Sequence, residues 1–193
     1  PEEAVMQHWA GLGYYSRARN LHRAAQQVMQ QHGGTFPRER EALAQLPGVG
    51  RSTAAAIAAL AFGKCEAILD GNVKRVFCRV FGIEGFPGQA AVEKHLWQRA
   101  EALLPARDIE AYTQGLMDLG ATLCTRTRPA CERCPMQSRC IAHASARTAE
   151  LPARKPKKAI PEKSTVMLVV LHQGEVLLEQ RPGYGIWGGL LSL

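Results

Sequence analysis

No apolar run in the 193 residues approaches the roughly 18 needed for a membrane-spanning helix, so such a helix is excluded. Glycine and proline, at 18 and 11 residues, are not in excess, which excludes a collagen-like or wholly disordered chain. Internal repeats and low-complexity tracts are absent. Cysteine is limited to six residues, four of them between 124 and 140 and the others at 65 and 78. That uneven placement does not make a disulfide framework and points to a reducing compartment. No initiator methionine precedes Pro1-Glu2-Glu3, and the chain stops in the apolar Gly189-Leu190-Leu191-Ser192-Leu193. It reads as a segment of a longer protein, so the lack of a targeting signal carries no weight.

What remains is a soluble, globular composition, 46% hydrophobic and 21% charged, long enough for one domain or a domain with an appendage. The net charge of +7 is localised. Lys+Arg against Asp+Glu counts 13 to 12 over residues 1–120, 9 to 2 over 121–160 and 2 to 3 over 161–193. A basic middle block suits phosphate backbones, although such a run is equally compatible with a solvated face.

From Tyr15 to His32, Leu21, Ala24, Ala25 and Val28 recur at helical spacing, and Gly33-Gly34 supplies a stop. The same logic predicts helices near 3–10, 38–45, 51–62, 72–81, 89–103 and 108–121, an all-α first part. Residues 146–163, with Arg147, Arg154, Lys155, Lys157, Lys158 and three prolines, read as an extended basic linker. Residues 166–171 and 175–179 around His172-Gln173-Gly174 read as two strands and a tight turn, the start of a second unit at 164–193. The division is then a helical domain over 1–123, a four-cysteine loop over 124–145, the linker and the second unit.

Four features carry chemistry. Cys124, Cys131, Cys134 and Cys140, with proline after the third, can close one tetrahedral S4 site holding an iron–sulfur cluster or zinc. Leu46-Pro47-Gly48-Val49-Gly50-Arg51-Ser52-Thr53 reads as a glycine hairpin opening a helix, where free amides favour a phosphate. Its bland alternative is a packing corner between helices. Asp70 in Leu69-Asp70-Gly71-Asn72-Val73 stands at a helix start. It is either an N-cap alone or a carboxylate held ionised to oppose positive charge on a sugar. Tyr14-Tyr15 beside Arg17 and Arg19 can supply a wedge in a base stack and phosphate contacts, or merely core.

The hairpin order resembles the helix-hairpin-helix of DNA glycosylases, and with the cysteine spacing it resembles the endonuclease III superfamily. Gly11–Asn20, Leu46–Ala55, Leu69–Val76, Met117–Ala121 and the cysteine loop together resemble the MutY family of adenine DNA glycosylases. Gly183–Gly189 resembles the opening of that family's Nudix-like domain, which reads 8-oxoguanine. The resemblance implies a mainly α glycosylase fold followed by the start of an α/β domain. It implies a monofunctional base-excision repair enzyme that hydrolyses the N-glycosidic bond of a flipped adenine paired with 8-oxoguanine or guanine.

By the same resemblance, Asp70 is the catalytic carboxylate, Asn72 helps place it, and Tyr15 inserts beside 8-oxoguanine. Arg19, Gly48, Val49, Gly50 and Ser52 contact double-stranded DNA. Cys124, Cys131, Cys134 and Cys140 hold one [4Fe–4S] cluster that orders the loop carrying Arg126, Arg128, Arg133 and Arg139. Bifunctional relatives carry a Schiff-base lysine where this chain has Ser52, so water is the final nucleophile. The family's general-acid glutamate falls upstream of Pro1, so a chain with these bounds is expected to carry half of the catalytic pair and to be impaired alone. A monomer is expected, in the cytoplasm, nucleoid-associated if bacterial, with no membrane partner. The rivals are a metal-stabilised DNA-binding module, a relative specific for thymine or oxidised pyrimidines, and a ferredoxin-like electron carrier, the last disfavoured by the basic charge.

Overall fold

Seven helices follow one another along the first 118 residues, the first six of them followed within a few residues by a glycine or proline signal. The computed structural model describes residues 1–156, 161–162, 164–183 and 188–193. The helices are α1 (Glu2–His8), α2 (Tyr15–Gln31), the short α3 (Arg40–Leu43), α4 (Arg51–Phe62), α5 (Gly71–Val80), α6 (Ala90–Ala102) and α7 (Ile109–Asp118). They match the expected positions within a few residues. Gly63 ends α4 in the left-handed conformation (φ 63°), and the Gly63 and Lys64 amides donate to the carbonyls of Ala59 and Ala58.

Helix α4 is central because it is alanine-rich. Ala54 and Ala58 join Ala24, Val28, Leu43 and Leu46 in one apolar cluster, whereas Ala55 faces a larger one built on Leu69, Val73, Val76, Phe77 and Leu96. Side chains this small let α3 and α7 both pack on α4. Full burial of Leu96 or Val73 contributes about 1.5–3 kcal/mol each, which anchors α5 and α6 to this core.

The last expected helix departs from its prediction. Regular α-geometry stops at Asp118, and Leu119–Leu123 form a π-helical turn in which the Cys124 amide donates to the Leu119 carbonyl at 2.7 Å. Single 3₁₀ turns at Cys131–Arg133 and Gln137–Arg139 and the short α8 (Ile141–Ala144) complete the cysteine loop. The expected linker also begins late. Arg147 pairs with Glu84 at 2.8 Å and Glu150 at 2.9 Å, and Leu151 is buried, so the chain stays packed on the helices through residue 151.

The expected hairpin forms with shorter strands. β1 (Leu171–His172) pairs antiparallel with β2 (Glu175–Val176) through Gln173 and Gly174, both at positive φ. β3 (Glu179–Gln180) pairs with β4 (Leu191–Ser192). Val166–Val169 stay exposed and outside any ladder, because among the described residues no strand offers them hydrogen bonds. Lys157 and Lys158 of the basic stretch and Tyr184–Trp187 of the tail lie outside the described residues. No helix among the described residues is long and apolar enough to cross a membrane.

Candidate active site and cysteine centre

Residues 64–70 run extended out of α4 without joining a sheet, with Ala67, Ile68 and Leu69 buried, and deliver Asp70 to the first turn of α5. There the Asp70 Oδ1 accepts from the Val73 amide at 2.8 Å. The N-cap role is therefore real. It occupies one carboxylate oxygen, and the other makes no hydrogen bond among the described residues. The Gly71 and Asn72 amides of the same turn have no acceptor among the described residues, so the positive end of the helix dipole faces this half-buried carboxylate.

Ser52 ties this carboxylate to the hairpin. Its Oγ accepts from the Leu69 amide at 2.9 Å, one residue before Asp70. Its hydroxyl thus supports the Asp70 segment from the first turn of α4, a role that the sequence offers no local signal for. In the hairpin, the Val49 amide donates to the Leu46 carbonyl at 3.0 Å, Gly48 has φ 79°, and Gly50 precedes α4 with open space around its missing side chain. The Gly50, Arg51 and Ser52 amides have no acceptor among the described residues. Val49 is half-buried against the α2–α4 cluster, so only its backbone is available. Arg51 turns away, stacking over Trp97 at 3.7 Å and pairing with Glu101 at 2.5 Å.

The loop before α2 separates its two tyrosines. Tyr15, the first residue of the helix, is half-buried with its hydroxyl 3.4 Å from the Gly11 amide. Tyr14 sits ahead of the helix at φ 48°, ψ 47° and is 81% exposed. A left-handed backbone at a bulky residue costs about 1 kcal/mol or more. Trp9 Nε1 donates to the Gly13 carbonyl at 3.0 Å and braces the loop. Arg19 is already engaged, with Glu2 at 3.4 Å and the Gly188 carbonyl at 2.5 Å.

Asn72 lies next to Gly120 and accepts from Arg75 Nη2 at 2.8 Å. Arg75 also donates to the carbonyls of Gly120 at 2.6 Å and Cys124 at 2.7 Å. Burial, above all, lowers the Arg75 pKa from the ordinary arginine value, and the adjacent Cys124 and Asp70 oppose that effect. This guanidinium joins the first turn of α5, the π-helical turn and the first cysteine.

All four loop cysteines are free thiols lining one largely apolar pocket with Val76, Val80, Leu119 and Leu123. Burial, and then the three neighbouring cysteines, push the Cys131 thiol up. Among the described residues no three Cys, His, Asp or Glu side chains converge closely enough to hold a single metal ion. Four soft sulfur donors around one apolar pocket nonetheless fit an iron–sulfur group. Cys65 is exposed, whereas Cys78 is buried on α5 away from these four.

Residues 1–102 match the profile of the HhH-GPD superfamily base excision DNA repair protein family. An adenine DNA glycosylase of Buchnera aphidicola (Acyrthosiphon pisum) is 37% identical over 183 residues, 95% of this chain and 52% of that protein. The adenine DNA glycosylase of Homo sapiens is 51% identical over 142 residues, 72% of this chain and 26% of its own length. The chain thus spans about half the length, or less, of these curated relatives. A thermostable thymine-DNA glycosylase structure superposes with a TM-score of 0.64 at 36% identity, covering 75% of this chain and 67% of that one. Endonuclease III trapped in a covalent intermediate with DNA gives 0.62 at 27% identity, covering 76% and 67%. On its helices, its glycine hairpin and the profile that spans more than half of its length, this chain belongs to the HhH-GPD superfamily of base excision DNA repair proteins.

Proposed function

We propose that the protein containing this chain is a monofunctional adenine DNA glycosylase acting on adenine opposite 8-oxoguanine or guanine in duplex DNA. The observation that carries it is the Ser52–Leu69 hydrogen bond, which fixes the Asp70 carboxylate beside a hairpin with free amides. The adenine glycosylases at 37% and 51% identity support the choice of base.

On this reading, a DNA phosphate sits on the Gly50–Ser52 amides, and Tyr14 rather than Tyr15 enters the base stack because it is the exposed ring. The flipped adenine then presents its sugar to Asp70. As the glycosidic bond breaks, the sugar gains positive charge, which the carboxylate opposes or traps before water completes hydrolysis. Ser52 stands where an amine would be needed for a lyase. Lys64 and Lys74 are paired with Glu39 and Glu93, each at 2.6 Å.

Cys124, Cys131, Cys134 and Cys140 would hold one [4Fe–4S] cluster, which when bound cross-links the loop. Four soft sulfur donors lining one apolar pocket support that reading. Arg126, Arg128, Arg133 and Arg139 on that loop are exposed and have no ion-pair partner among the described residues, as phosphate contacts require. Residues 164–193 we assign to the opening of the Nudix-like reader of 8-oxoguanine, a reading supported by their switch to hairpins.

The test is single-turnover base release by the full-length parent on duplexes with adenine opposite 8-oxoguanine, adenine opposite guanine, or thymine opposite guanine. Free adenine, with strand breaks appearing only after alkali, is the expected result. Release of thymine would favour the thymine-specific rival, and binding without release would leave a DNA-binding module.

A further inference from the structure

Arg79, in the last turn of α5, is 2% exposed, although arginine is almost never fully buried unless paired. Its guanidinium donates to the carbonyls of Leu151 at 2.8 Å, Thr125 at 2.7 Å and Arg126 at 3.1 Å, and to the Cys124 Sγ at 3.4 Å. Its own carbonyl accepts from the Cys140 Sγ at 3.5 Å. One residue thus touches the first and last cysteines of the loop and the point where the chain leaves it.

These neutral acceptors satisfy the donors but not the charge. Among the described residues no carboxylate pairs with Arg79, and a buried cation without a counter-charge is costly. Arg75, donating to the Cys124 carbonyl, brings a second positive charge to the same side of the pocket. Asp70 lies toward Arg75, and among the described residues that line the pocket beside Arg79 the groups that can become anionic are the four thiols. A cluster held by four thiolates is net negative and would neutralise what the protein alone leaves unpaired.

We propose that Arg79 is a positioning residue for the cysteine centre: its buried guanidinium is the built-in counter-charge of the cluster–thiolate unit and the clamp that closes residues 124–126 and 151 around it. This rests on the [4Fe–4S] reading above. A fork of five donors serves acceptors in four directions, whereas lysine supplies the charge as a single point. Hydrogen bonds to cluster sulfurs and local net charge set the reduction potential, so a cation at Cys124 raises it.

The experiment compares full-length parent, Arg79→Lys and Arg79→Met, purified without oxygen. Iron and sulfide per chain, bleaching of the visible absorption under an iron chelator, and midpoint potential are measured, with circular dichroism to report folding. The expected result is a folded Arg79→Lys that loads but bleaches about 10-fold faster or more, with a lower potential, and an Arg79→Met that loses most of its iron. Parent-like loading, bleaching and potential in Arg79→Lys, with intact loading in Arg79→Met, would overturn the proposal. If Arg79→Met does not fold, Arg79→Lys decides alone, since it keeps the charge and removes the fork. A parent holding zinc and no sulfide sinks the cofactor reading and the claim on potential; the rate of zinc release to chelator then decides, an unchanged rate in Arg79→Lys overturning the clamp and an unchanged rate in a folded Arg79→Met overturning the counter-charge.

Discussion

Gly120 and Asn72 are in backbone-limited contact: a Cβ on residue 120 would lie 2.6 Å from the Asn72 Cβ and 3.2 Å from its Cα and carbonyl carbon. None of these atoms is the end of a flexible chain, so the π-helical turn or the first turn of α5 would have to move. Gly120→Ala should therefore cost about 1–3 kcal/mol of stability, typical of overpacking, and slow base release by disturbing the Asn72–Arg75 hydrogen bond. Thermal melting and single-turnover kinetics check this. A variant that melts and reacts like the parent would show that the contact relaxes freely.

The hairpin glycines should separate folding from DNA binding. Gly50 has an ordinary φ of −84° and open space, so Gly50→Asp should fold normally, with aspartate an acceptable N-cap. Its carboxylate would occupy the phosphate position, weakening duplex binding at every sequence and reducing the salt slope by about 1. Gly48→Ala meets the Asn20 Cβ at 2.8 Å at a positive φ and should lose stability first. Filter binding across a salt series checks both, and parent-like affinity in a folded Gly50→Asp would make the hairpin a packing corner.

Tyr14→Ala should leave the melting temperature nearly unchanged, because its ring is exposed, and should weaken binding to adenine opposite 8-oxoguanine. Tyr15→Ala should cost more in stability than in recognition. The reverse ranking in paired melting and binding measurements would return the wedge to Tyr15.

Cys78 should resist alkylation at neutral pH while Cys65 reacts, since burial pushes the Cys78 thiol up from 9.0 to about 11. A folded-state value above the unfolded one makes this thiol's contribution complete below pH 9 and lost as pH rises through about 11. Mass spectrometry after iodoacetamide treatment, and denaturant melts from pH 8 to 11, report the two consequences. Equal modification of Cys65 and Cys78 in the native protein would contradict the burial.

How far the sequence reads depends on the range of each interaction. Helix bounds follow from neighbours in the chain: Gly33-Gly34 stops α2, Gly63 stops α4 and Asp70 starts α5, all within one turn. The four cysteines were legible for the same reason. The Ser52–Leu69 bond spans 17 residues, the Arg79–Leu151 bond spans 72, and Gly120 meets Asn72 only because α7 packs on α5. No periodicity records such meetings. Tyr14 and Tyr15 differ by a single position, but helical phase begins between them, and only coordinates say which ring is outside.

Asp70→Asn separates two roles that coincide at one residue. As a cap, Asp70 contributes the bond from the Val73 amide to Oδ1, and the asparagine amide oxygen can accept the same bond at the same place. Asparagine caps helices about as well as aspartate, so the melting temperature and mismatch binding should be close to those of the parent. Catalysis asks for charge instead. A sugar losing its base becomes oxocarbenium-like, and a neutral amide can neither oppose that charge nor form a bond to the carbon that bears it. Excision of adenine opposite 8-oxoguanine by the full-length protein should then fall at least about a thousandfold, roughly 4 kcal/mol in barrier, under single-turnover conditions with enzyme in excess. Loss of binding in parallel would point to a collapsed α5 turn, which circular dichroism and melting would reveal. Equal excision rates in a folded Asp70→Asn protein would leave residue 70 a helix cap and move the chemistry to another carboxylate.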